Sequence, residues 1–184
     1  MGVATAFQPH KQIVPALATS EFSPTELQAL VAGLFGEVDF VSESIPFSFT
    51  HYYDEELGPS IYRMLFSIGE LVDPALLAEH KQRANAIEAE TARPDGRRVI
   101  NLDPGLLSLS RVILATTKAS GHRIPLRDAI HAEITLIFRH GRYQPLDWTY
   151  PDFRSEAYQE WLLQVRETYH QQLRRLDPAR SWRL

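Results

Sequence analysis

The chain has no cysteine in its 184 residues. That excludes disulfides, thiolate metal sites and a cysteine nucleophile, and it fits a reducing compartment. No stretch approaches the roughly 20 apolar residues that a membrane span needs. Residues 1–12 show neither an apolar signal core nor an Arg-rich amphipathic pattern, so a cytoplasmic location is expected. Basic residues are not in excess: 19 Lys and Arg stand against 23 Asp and Glu, a formal charge of −4. Nucleic-acid binding rests on neutralising phosphates with Lys and Arg, so such a partner is not expected. The basic run "RRLDPARSWRL" at the C-terminus reads as a solvated tail. Phosphate-cradling glycine motifs and a nucleophile elbow are missing too.

What is present suits one α+β domain over residues 1–184, with 1–10 and 177–184 as flexible tails. "KQIVPALAT" reads as a strand that Pro15 confines to an edge or a bulge. In "SPTELQALVAGLFG", Ser23 and Glu26 form a capping box around Pro24, and Leu27, Leu30, Val31 and Leu34 make one apolar stripe ahead of Gly36. "VDFVSESIPFSFTHYY" and "IYRMLFSIGEL" read as strands, and a second helix runs from Asp73-Pro74 to about Thr91. After the strand "RRVINL", Asp103-Pro104-Gly105 is expected to turn the chain. "RVILATTK", "HRIPL", "DAIHAEITLIF" and "RYQPLDW" follow as a meander whose last hairpin turns at His140-Gly141, and a final helix starts near Ser155. The first hundred residues thus follow the order of a ferredoxin-like split βαβ core, extended by an antiparallel β meander and closed by a C-terminal helix.

Side chains alternate across a strand. Ile130, Ala132, Ile134, Leu136 and Phe138 should therefore share a core face, leaving His131, Glu133 and Thr135 on the reverse. Arg63, Lys118, Arg123, Glu133, Asn101 and Asp103 would converge on that polar face if their strands lie side by side. A wet face is ordinary for an antiparallel sheet. On the second helix, Lys81, Asn85 and Glu88 share one side, either as a solvated stripe or as the rim of the same cleft. His51, Asp54, Glu55 and Glu56 crowd one segment at a strand end, where turn acids are common, so no metal site is assigned. "WTYPDFR" reads as the anchor of the last helix, with Asp152 or Ser155 as its cap.

Several blocks in one order, "IPFSFTHYYDEELG", "RVINLDPGLLSLSRVILATTK", "HRIPL", "AEITLIF" and "WTYPDFR", resemble a bacterial family known as domain of unknown function four-four-one-six. The resemblance runs from about Ile13 to Tyr169 and implies no established activity. Its matching polar positions include Thr50, Tyr52, Glu56, Arg63, Asn85, Glu88, Asn101, Asp103, Lys118, His122, Arg123, Glu133, Asp152 and Arg154. At Leu106, Pro125 and His131 the chain departs from aromatic residues expected there, which removes support for His131 as a base beside Glu133.

The functional expectation is a small anionic or phosphorylated ligand held over the polar sheet face. Arg63, Lys118 and Arg123 would grip it, with Asn101, Asp103, Thr50, Tyr52 and Asn85 as further contacts. Glu133, Glu88 or His122 would handle a proton. No cofactor or oligomeric state is assigned. The alternative is a non-catalytic interaction module whose polar network is structural.

Overall fold

The computed structural model describes residues 5–49, 56–58 and 60–179. Three helices and ten strands occur among the described residues: β1 (His10–Thr19), α1 (Pro24–Phe35), β2 (Val38–Val41), β3 (Ile45–Pro46), β4 (Ile61–Val72), α2 (Leu77–Glu90), β5 (Ile100–Leu102), β6 (Gly105–Leu107), β7 (Arg111–Thr116), β8 (Ile124–Pro125), β9 (His131–Arg139), β10 (Arg142–Pro145) and α3 (Glu156–Leu176). The strands form one antiparallel sheet in the order β10-β9-β7-β6-β1-β4-β2, with β3 on β4, β5 on β1 and β8 on β9. The class is α+β with a C-terminal helix. No helix among the described residues is long and apolar enough to cross a membrane.

Local chemistry explains the helix ends. Ser23 Oγ accepts the Glu26 N–H while the Glu26 carboxylate accepts the Ser23 N–H, so two otherwise orphaned donors are satisfied. Ser155, rather than Asp152, caps α3 through the Tyr158 N–H. The β9–β10 hairpin turns at His140 and Gly141, both at positive φ (53° and 81°). That pair defines the turn whose twist matches two antiparallel strands.

Both faces of the sheet are covered. Val14, Ala16 and Ala18 of β1 with Met64, Phe66 and Ile68 of β4 pack under α1 and α2. Ile13, Leu65, Leu107, Val112, Leu136 and Tyr143 face Trp161, Leu162, Val165 and Tyr169 of α3. Each such burial stabilises by about 1.5–3 kcal/mol. Tyr169 also ties down the N-terminal approach: its hydroxyl donates to Pro9 O and accepts from Gln8.

Three sequence expectations change. "VDFVSESIPFSF" is not one strand; β2 and the short β3 are separate, each paired with β4. Asp103-Pro104-Gly105 does not reverse the chain. The register runs straight on, from Ala16↔Leu102 to Ile13↔Gly105, and Asp103 N donates to Pro15 O. Pro15 consequently sits in a central strand, its missing N–H falling at the gap between β5 and β6. Finally, β9 does not alternate throughout. Ile113 pairs with Ile134 but Val112 pairs with Leu136, so Thr135 is a bulged residue. The bulge moves Leu136 to the α3 face while Ile130 and Ala132 pack toward α2.

These pairings split the sheet. β6 pairs with both β1 and β7, whereas β5 pairs with β1 alone. Beyond Pro104 the end of β7 peels away from β5. Polar side chains gather in that fork, not on an open sheet face.

Candidate functional site

A narrow pocket of about 80 Å³ fills the fork. Lys81 and Asn85 of α2, Arg98, Asn101 and Asp103 of the β5 segment, Leu114 to Lys118, Glu133 of β9 and Tyr150 form its wall. Such a volume holds several waters or a small polar group. It is too small for a drug-sized ligand.

One side of the fork repairs the backbone. With no strand beside it, Leu102 would leave its N–H and C=O orphaned. Glu88 Oε1 accepts the Leu102 N–H at 2.7 Å, and Lys81 Nζ donates to the Leu102 carbonyl at 2.6 Å. Both side chains are buried, 3% and 4% exposed, and they lie 3.6 Å apart. Lys81 also meets Asp103 Oδ1 at 3.3 Å, and Asn101 Nδ2 donates to Asp103 Oδ2 at 2.8 Å. The second Glu88 oxygen accepts from Arg98. Arg98 in turn donates to Glu56 at 2.6 and 2.7 Å and to Asn101 Oδ1 at 2.9 Å. Burial works against the Arg98 charge, but the Glu56 and Glu88 carboxylates outweigh it and hold its pKa above the ordinary value. The Arg98 hydrogen bonds lower the Glu56 pKa.

The other side is built on Glu133, 2% exposed. Its Oε2 accepts from Arg123 Nε at 2.7 Å and meets His122 Nε2 at 3.0 Å. Its Oε1 is buried and has no hydrogen-bond partner among the described residues. Arg123 reaches on to the Lys118 carbonyl and the Tyr150 hydroxyl, each at 3.0 Å. Burial alone would lower the Arg123 pKa; the Glu133 hydrogen bond overcomes it. Burial raises the Tyr150 pKa. The His122 ring lies parallel to Trp148, centroids 4.7 Å apart.

The structure thus sets Glu133 and Lys118 on one wall, with His122 and Arg123 bonded to Glu133, and Asn85, Asn101 and Asp103 on the other, with Glu88 bonded to Leu102 and Arg98. Arg63 stands apart. It pairs with Asp152 at 2.8 Å, lies over the Phe47 ring, and lines a neighbouring cavity of about 30 Å³. Asp103, Leu114 and Tyr150 are shared between the two cavities. Thr50 and Tyr52 lie outside the described residues. The hub Arg98, along with Tyr150, was absent from the sequence-based site. Arg98, beside Arg97 at the start of "RRVINL", carries no periodic signal, and Asp152 looked like a helix cap.

A family model described as Domain of unknown function (DUF4416) matches residues 9–169. The chain belongs to that family. Both walls of the fork lie within the matched span. No curated protein and no solved structure matches the chain.

Proposed function

We propose that the protein binds a small polar molecule carrying one anionic group, seated in the fork with a donor on Glu133 Oε1. That orphaned oxygen carries the reading. Glu133 lines a pocket with room for several waters, and a ligand N–H or O–H would take the place of a solvent donor on that oxygen. Lys118 on the wall supplies a cationic contact for the anion. Glu133 is the proton acceptor if the ligand reacts. Glu88 is not, because its oxygens already serve Leu102 and Arg98. The strand order β6-β1-β4-β2, with both crossover helices on one face, supports reading the N-terminal half as a ferredoxin-like split βαβ unit. That fold carries no function by itself.

A second reading has its own support. Arg63, Lys81, Arg98 and Arg123 each already face a carboxylate, as a structural network in a non-catalytic interaction module would. A thermal-shift panel of inorganic phosphate, sugar phosphates, nucleotides and hydroxy acids separates the two. Binding at 100 times Kd stabilises by about 2.7 kcal/mol, a rise of several degrees. The ligand reading expects such a rise for at least one compound, reduced in Lys118→Met; no rise across the panel favours the interaction module.

A further inference from the structure

Glu133 faces two ways, and its outward oxygen begins a second chain. His122 Nε2 lies 3.0 Å from Oε2, and His122 Nδ1 lies 3.1 Å from Ser120 Oγ. The carboxylate oxygen is an acceptor, so Nε2 must bear the hydrogen. In the neutral imidazole that serves as a base, Nδ1 then carries the lone pair and accepts a hydrogen bond from the Ser120 hydroxyl. Trp148 holds the imidazole parallel at 4.7 Å, and the Trp148 ring is itself fixed by its N–H on the Ile134 carbonyl at 2.8 Å. The three members grade from a buried carboxylate through a half-buried ring to an exposed hydroxyl. A nucleophile beside a base, with the base oriented by a third group, is the geometry of an activated hydroxyl.

We propose that Ser120 is a nucleophile toward small activated esters, with His122 as its base and Glu133 and Trp148 as positioning residues. This does not depend on a ligand in the fork, because it uses Glu133 Oε2 and the solvent side of the wall. Space and a donor are both available. A side chain added at Gly121 would meet nothing within 4 Å, so approach to the neighbouring Ser120 is open. The Gly121 N–H makes no hydrogen bond among the described residues, which leaves a backbone donor next to Ser120 in the chain for a developing oxyanion. Ser120 Oγ would form a bond to the acyl carbon as its proton passes to His122 Nδ1. The ester C–O bond then breaks and the alcohol leaves with that proton. Water cleaves the acyl–serine in a second step and restores the hydroxyl.

A fluorophosphonate probe tests this directly, since its P–F bond breaks as Oγ–P forms and fluoride leaves. Intact mass and peptide mapping of the full chain should show one adduct, on Ser120. Ser120→Ala, at an exposed position, should fold normally and lose the adduct. His122→Ala should label at least tenfold more slowly and recover in added imidazole, a rescue that a purely structural histidine would not give. An unlabelled wild-type protein, an adduct on another serine, or His122→Ala labelling at the wild-type rate would overturn the proposal.

Discussion

Two polar clusters that bury charge flank β1, and they differ in how far their buried atoms are satisfied. At its N-terminal end Lys11, fully buried, donates to Asp39, to Gln172 Oε1 at 3.2 Å and to the Gly69 carbonyl at 3.4 Å. The other Asp39 oxygen accepts from Ser67. Neither Lys11 nor Asp39 leaves a buried atom without a partner among the described residues. Beyond the C-terminal half of β1, the fork holds a larger set of charges, and there Glu133 Oε1 has no partner among the described residues and Glu133 lines a cavity. A saturated cluster ties α3 to β1 and β4 and has no capacity left for a ligand. An unsaturated one beside open volume does. Both ends bury charge; satisfaction separates them.

The sharpest way to break this comparison is to remove one charge from each cluster. Lys11→Met leaves Asp39 without its partner and should cost about 3 kcal/mol in urea unfolding, while Lys11→Met with Asp39→Leu should recover much of it. Glu133→Gln should cost less, about 1 kcal/mol, because Oε1 has no bond to lose and Arg123 and His122 both reach solvent. Equal losses in the two variants would undo the distinction.

A backbone test is smaller. Arg127 to Ile130 turns β8 into β9, with Asp128 and Ala129 at φ 53° and 60°. Ala129→Gly should relieve left-handed strain and stabilise by about 0.5–1 kcal/mol, read as a higher urea midpoint. It leaves the charges of both clusters untouched.

The smallest effect is on pH. Arg98 holds the Glu56 pKa below its ordinary value of about 4.3. The ionised native form is thereby favoured, so this stabilisation is complete above that ordinary value and is lost as pH falls through the lower folded one. Melting temperature should therefore fall less steeply on acidification in Glu56→Gln than in the wild-type protein. Parallel curves would remove Glu56 from the fork network.

What the sequence made legible was local. The capping box at Ser23, the start of α3 at Ser155 and the His140-Gly141 turn each depend on residues a few positions apart, and all three hold. Non-local geometry was hidden. The bulge at Thr135 leaves no mark in "AEITLIF", so strict alternation put Leu136 on the wrong face. Asp103-Pro104-Gly105 has turn composition, yet ladder bonds to β1 keep it extended; at Gly105 a side chain would meet the Ile113 carbonyl at 2.5 Å. The site was half visible for the same reason. Arg123, His122 and Glu133 belong to one hairpin, so alternation nearly joined them. Arg98–Glu56 and Arg63–Asp152 pair residues 42 and 89 positions apart, beyond any periodic pattern.

The central claim is that the fork is where a ligand binds, and a crystal structure grown with the most stabilising compound tests it most directly. The account predicts density in the fork with a donor atom about 3 Å from Glu133 Oε1 and an anionic group toward Lys118. A compound bound elsewhere, with the fork holding only solvent, would contradict it.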